Sequence, residues 1–320
     1  MKFFNENCLS KENCNIIRGI VAIVIILHHS AFYVSYGRIL DFLLKNIGAS
    51  MTTIFFFYSG YGLMLSLNKK SDYMTHFIRK RLLTIVIPYI VTNFVYIIVS
   101  ELYGNHISLL NALKSFVKGN TLVPYSWYVV VIFFLYLAFY LSFRWLDIKK
   151  GTIVCIVLNI AYIVAAFLAG FEEYWYNTAF AFSFGILFYI NCEKIFALFK
   201  KRDIIKFICL VLTFGVLLVL GKLIHNGVLL IIIKSMRSVV FCMIMLLLSM
   251  LICGHTNKVL ELLGNISYEL YLYQGVAFLI LRDTWFRRQS IVFAVAVLAI
   301  TFIFAYVFGR LDKFIVKKIC

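Results

Sequence analysis

An all-α, polytopic integral membrane protein of about ten transmembrane helices is the fold class this sequence predicts, and three observations predict it. Hydrophobic residues make up 63% of the 320 and charged residues only 14%, far from the balance of a water-soluble globule. Apolar runs long enough to cross a bilayer recur along the whole length, with no low-complexity linker and no internal repeat between them. Aromatic content reaches 18%, with 32 Phe and 20 Tyr, which suits lipid-facing and interfacial positions. The chain therefore reads as one transmembrane domain over residues 1–320, with no appended soluble domain.

Taken in order, the first span runs near Ile16–Val34 and ends on two histidines, His28 and His29. No small-residue cleavage site follows it, so it is expected to be retained. The second, near Ile47–Leu67, holds Phe55-Phe56-Phe57-Tyr58-Ser59-Gly60-Tyr61-Gly62. The third, near Leu82–Ser100, follows Arg79-Lys80-Arg81 and contains Pro88. The loop from Glu101 to Tyr125 has room for an amphipathic helix around Asn111–Val117. The fourth span, near Trp127–Phe143, opens on Ser126-Trp127-Tyr128, and the fifth lies near Thr152–Ala169. A short sixth runs near Tyr174–Ile190, a seventh near Ile204–Ile224, and an eighth near Leu230–Cys253 with Lys234 and Arg237 close to its start. The ninth, near Leu263–Leu281, carries Ser267-Tyr268-Glu269-Leu270-Tyr271-Leu272-Tyr273-Gln274, and the tenth lies near Ile291–Phe308.

The net charge of +17 is expected to be a topology signal. With the N-terminus inside, alternating the loops puts about two thirds of the 31 basic residues on the cytoplasmic side, so both termini are expected there. The basic residues are scattered over loops and do not form one groove, which argues against a nucleic-acid partner. Membrane lipids are the expected surroundings. The eight cysteines, Cys320 included, show no CxxC and no metal-ligand spacing, and read as small hydrophobes.

Arg18 and His29 are the most informative pair. Eleven residues separate them, close to three helical turns, so they share a helix face about 16 Å apart along the axis. An ionisable side chain inside a span is costly and is usually tied to function. A guanidinium near one membrane surface and an imidazole beyond it suit a substrate with an anionic head and a reactive far end. The plainer reading, that His28 and His29 are satisfied by carbonyls of neighbouring helices, stands beside it. Gly60 and Gly62 read as close-packing residues, with Ser59 facing a substrate as the alternative. Arg79 and Arg81 are a topology anchor or a phosphate grip. Glu269 pairs with a basic helix end or orients a histidine. Trp127 reads by default as an interfacial aromatic.

Together these motifs resemble the membrane acyltransferase 3 family, the bacterial carbohydrate O-acyltransferases. Arg18-Gly19 followed by His29 looks like the family's arginine–histidine pair, and Phe55-Phe56 with Ser59-Gly60-Tyr61 like its Ser-Gly-aromatic segment. Arg79, Arg81 and Pro88 fall where its arginine-rich stretch and proline belong. Trp127-Tyr128 resembles its tryptophan-aromatic pair, and Leu263-Gly264 with Ser267-Tyr268 and Leu270-Tyr271-Leu272 its last signature. The chain departs from the pattern at Thr84, Ile132 and Gln274, where the family often has Arg, Glu and His.

The resemblance implies a multi-pass protein of the bacterial plasma membrane that moves an acyl group, acetyl being expected, from cytoplasmic acyl-CoA to a carbohydrate hydroxyl. It implies His29 as catalytic base, supported by Ser59 and Glu269, and Arg18, Arg79 and Arg81 as the acetyl-CoA phosphate contacts. Tyr61, Trp127, Tyr268 and Gln274 are then the substrate contacts, and no metal is expected. The competing reading is a transporter or flippase for lipid-linked sugars, which predicts inverted repeats that this sequence does not display.

Overall fold

The computed structural model describes residues 6–199, 203–254 and 256–319, and all regular structure among them is helical. In chain order the helices are α1 (Lys11–Ser30), α2 (Arg38–Ile47), α3 (Thr52–Lys69), α4 (Leu83–Leu102), α5 (Leu109–Val117), α6 (Trp127–Phe143) and α7 (Ile148–Leu168). They continue with α8 (Phe180–Ile190), α9 (Cys192–Phe199), α10 (Asp203–Leu223), α11 (Gly227–Ile252), α12 (Lys258–Asn265), α13 (Ser267–Leu281) and α14 (Ser290–Ile319). Cys320 lies outside the described residues; Cys8, Cys14, Cys155 and Cys242 are buried cysteines that form no disulfide among the described residues.

Among the described residues, seven helical segments are long and apolar enough to cross a membrane. They are Lys11–Ser30, Arg38–Lys69, Ile78–Leu102, Ile148–Leu168, Ile204–Leu223, Gly227–Ile252 and Ser290–Ile319. The other three expected spans correspond to shorter helices. α6 is apolar throughout but has 17 residues, while α8 has 11 and α13 has 15. At 1.5 Å per residue α8 and α13 reach about 17 and 22 Å, short of a ~30 Å hydrocarbon core. Both are buried along most of their length, which explains why hydropathy alone reads them as spans. The amphipathic helix expected around Asn111–Val117 is α5. The eighth expected span begins earlier than read, at Gly227, where the Asn226 side chain accepts from the Leu229 N–H. At the start of α7 the Asp147 carboxylate accepts from the Lys150 N–H, and that bond holds its carboxyl below the ordinary range.

Contacts gather into two units, each assembled from segments distant in sequence. The first is built from described residues of Met1–Ile17, Ser50–Thr75 and Ala138–Glu261. Its central contact is α3 against α8, and the cause is a pair of glycines. A Cβ on Gly60 would stand 2.1 Å from the Phe182 carbonyl oxygen, and one on Gly185 would stand 2.2 Å from the Phe57 carbonyl oxygen. Each helix backbone thus occupies the space that a side chain on the other would need, the close approach that small residues allow between membrane helices. Phe57 and Phe188 fill the flank of this crossing edge to face, with ring centroids 5.3 Å apart. In the same unit Lys234, buried in α11, is ion-paired with Glu173, which explains how α11 carries an ammonium inside an apolar segment.

The second unit takes described residues of Arg18–Ala49, His76–Leu137 and Leu262–Cys320. Its core is α13, which packs on α14 and on α4, with α14 also against α4. Arg79, Lys80 and Arg81 lie on a π-helical turn, Ile78–Leu82, closed by the Leu83 N–H on the Ile78 carbonyl. Pro88, in α4, lacks an N–H and loosens the turn before it. The Tyr268 hydroxyl donates to the Ile85 carbonyl there at 2.8 Å, tying α13 to α4.

Gly60→Ala should lower the stability of the purified protein by about 1–3 kcal/mol or more, since the clash is with backbone. Gly62, with nothing within 4 Å of its built Cβ, should accept alanine without loss. Thermal unfolding in detergent measures both; equal effects at the two positions would contradict the packing account.

Candidate active site

In the second unit the last turn of α1 presents two histidines in different surroundings. His28 Nδ1 is hydrogen-bonded to the Leu44 carbonyl of α2 at 2.8 Å, and its ring packs against Gly48, where a Cβ would meet His28 Cβ at 2.5 Å. His28 is thus the carbonyl-satisfied histidine of the plainer reading. His29, one residue and ~100° further round the helix, has a side-chain partner instead.

His29 is 7% exposed, and its Nδ1 lies 2.8 Å from Gln274 Oε1. Gln274, fully buried on α13, is itself held: its Nε2 donates to the Tyr271 carbonyl at 2.9 Å. That bond fixes the amide orientation, since only the nitrogen can donate to a carbonyl. Oε1 therefore faces His29 as an acceptor, Nδ1 carries the proton, and Nε2 is the atom left with a free lone pair. A carboxamide takes up no proton, so it orients the ring without drawing charge from it.

The other face of the imidazole is covered by Tyr125, stacked at 4.0 Å between ring centroids with a 13° interplanar angle. Tyr125 is the one non-glycine residue among those described with positive φ, at 68°. A tyrosine in that region carries strain of about 1–3 kcal/mol, which its surroundings must over-determine. They do. The Tyr271 hydroxyl donates to the Tyr125 carbonyl and receives the Tyr128 N–H at 3.3 Å, while Phe278 abuts the Tyr125 ring edge to face at 5.7 Å. Burial raises the Tyr125 phenol well above its ordinary value, and it donates to the Tyr33 hydroxyl at 3.4 Å. Tyr125 was not singled out by sequence reasoning. The local signal for it is the short Val123-Pro124-Tyr125-Ser126 loop just before an apolar helix, which matters only once the fold brings α1 against it.

The remaining predicted residues divide by unit. Trp127 is buried beside Tyr128, edge to face at 6.4 Å. The Tyr268 hydroxyl is occupied by the α4 carbonyl described above. Glu269 lies against α14, its Cγ 3.1 Å from where a Cβ on Gly309 would stand, and the side chain hydrogen-bonded to His29 is Gln274. Arg79 is exposed, with its Nε donating to the Ile319 carbonyl at 3.0 Å; Arg81 and Arg18 are half-buried. Ser59 and Tyr61 belong to the first unit, half-buried on α3, with Tyr61 packed edge to face on Tyr189 at 5.7 Å.

¹⁵N NMR of histidine-labelled protein in nanodiscs should report His29 as the Nδ1–H tautomer. Gln274→Leu should let the Nε2–H form appear and lower stability by about 1–3 kcal/mol through the unpaired Nδ1–H. A wild-type His29 bearing its proton on Nε2 would contradict the hydrogen-bond assignment.

No curated protein and no solved structure matches this sequence. The family model for the acyltransferase 3 domain, described as an acyltransferase domain, matches residues 12–310, nearly the whole chain, and includes His29, Tyr125 and Gln274. The chain belongs to the acyltransferase 3 family of membrane acyltransferases.

Proposed function

We propose that this membrane acyltransferase moves an acyl group, acetyl in the first instance, from cytoplasmic acyl-CoA to a hydroxyl of a cell-envelope carbohydrate in the bacterial plasma membrane. The observation that carries the reading is the His29 arrangement: a buried imidazole with Nδ1 committed to Gln274 and Nε2 free. In this reading the chain crosses the membrane ten times, α8 and α13 crossing as short, protein-surrounded helices extended by their flanking residues, and both termini are cytoplasmic, as the asymmetry of basic residues favours.

His29 Nε2 removes the proton from the acceptor hydroxyl as that oxygen bonds to the thioester carbonyl carbon. The tetrahedral species then collapses with cleavage of the carbon–sulfur bond. The thiolate takes the proton from His29, leaving an ester, free CoA thiol and the original neutral imidazole. Gln274 and Tyr125 hold the ring in place throughout, so little reorganisation accompanies transfer. Arg18, Arg79 and Arg81 meet the CoA phosphates. Ser59 and Tyr61 are assigned to the acceptor or the oxyanion, and Trp127 to the acceptor side.

Purified protein should hydrolyse or transfer from acetyl-CoA with release of free thiol, and comparison of surface glycans with and without the gene should reveal an acyl-sized mass difference. Arg18→Ala and Arg81→Ala should each weaken acyl-CoA binding by about 1.5–3 kcal/mol per charge-assisted contact, with little effect on a thioester lacking the nucleotide phosphates. Equal losses for both donors would assign these arginines to folding or orientation.

A further inference from the structure

We infer that Glu269, Tyr273 and Asp312 form a binding site for a small monovalent cation between α13 and α14, separate from the acyl-transfer chemistry. Asp312 is 1% exposed, and neither carboxylate oxygen has a hydrogen-bond partner among the described residues. An ionised carboxylate in that position is strongly unfavourable unless a positive charge accompanies it. Glu269 reaches the same place from α13. Its Oε1 stands 3.5 Å from the position of a Cβ on Gly309, and Gly309 precedes Asp312 by three residues on one face of α14.

Tyr273 supplies an independent indication. It lies four residues after Glu269, on the same face of α13, and its ring stacks on Phe308 at 5.4 Å. The side chain is fully buried, and its hydroxyl has no hydrogen-bond partner among the described residues. That hydroxyl is within electrostatic reach of both carboxylates, with Thr92 of α4 beside it. Lys313 is the cationic group that acts on both carboxylates, but it is exposed and forms no ion pair with either. The Asp312 carboxylate and the Tyr273 hydroxyl are thus buried without hydrogen-bond partners among the described residues, with the Glu269 carboxylate beside them.

Hard oxygen donors of this kind suit a hard cation. A calcium ion takes six to eight oxygens and magnesium a near-ideal octahedron, more than these side chains offer, which favours a monovalent ion such as sodium. Sodium cancels one of the two negative charges and a proton shared by the carboxyls the other; protons alone would leave the remaining oxygens unsatisfied. The position links the site to the rest of the unit, because Gln274, the partner of His29, directly follows Tyr273. An ion that clamps α13 to α14 would steady the turn that carries Gln274.

The test is thermal unfolding of the purified full-length protein at constant ionic strength, with sodium chloride exchanged stepwise for N-methyl-D-glucamine chloride. The wild type should gain roughly 5 °C in Tm, saturably, as sodium replaces the organic cation. Asp312→Asn should lose that response and be the more stable of the two without sodium, because it removes an uncompensated buried charge. Tyr273→Phe should keep the fold and need several-fold more sodium for the same shift; if Asp312→Asn does not fold, this variant decides. A wild-type Tm indifferent to sodium, or a response unchanged in both variants, would overturn the proposal. So would a Tm that follows pH alone and loses that dependence in Asp312→Asn, since protons alone would then occupy the site.

Discussion

The hydrogen bond between His29 Nδ1 and Gln274 Oε1 is the interaction on which the proposed chemistry depends. In water a bond of this kind contributes little, because both groups have equivalent partners in solvent. Here both residues are buried, so an unmet partner on either side would cost the full desolvation of a polar group. The bond therefore fixes the tautomer as well as the orientation of the ring. The carbonyl of Tyr271 fixes the amide, the hydroxyl of Tyr271 fixes the Tyr125 carbonyl, and the Tyr125 ring lies on His29. These contacts form a closed circuit from α1 through α13 to the loop before α6 and back to α1. A strained tyrosine persists at one corner of it because every other corner is held.

The helices of the two units solve different packing problems. In the second unit α13 is buried on nearly every side, so its polar groups must be satisfied internally. Tyr268 finds the carbonyl in the turn that Pro88 loosens, and Gln274 finds His29 and Tyr271. In the first unit the problem is steric. α3 and α8 approach until backbone meets backbone, and only glycine at positions 60 and 185 permits it. Gly60 thereby takes the packing role, and the space beside it is filled by α8.

Much of this was readable in the sequence because hydropathy and helical phase are local properties. A chain so apolar has to be helical in a membrane, and the eleven-residue spacing of Arg18 and His29 places them in register without knowledge of any neighbour. The same spacing argument separates His29 from His28, and the structure gives them different partners. The number of spans was less readable. A run of apolar residues has the same hydropathy whether it faces lipid, as along α10, or protein, as along α8 and α13. Tyr125 was not readable at all as a site residue, since its importance comes from a ring contact and a φ value that only the fold creates. Glu269 was noticed as an intramembrane acid, but the direction it faces depends on Gly309 and Asp312, some forty residues later in the chain.

Single-turnover acyl transfer in nanodiscs, with acyl-CoA binding assayed in parallel, tests the central claim most directly by comparing His29→Ala with His28→Ala. Removal of a positioned base should slow transfer by ~10²–10⁴-fold in His29→Ala while donor binding stays near the wild-type value. His28→Ala, whose partner is a backbone carbonyl, should transfer at a rate close to wild type once its stability is matched. Near wild-type transfer by His29→Ala, or equal losses in the two variants, would contradict the assignment of His29 as the base and leave the family membership untouched.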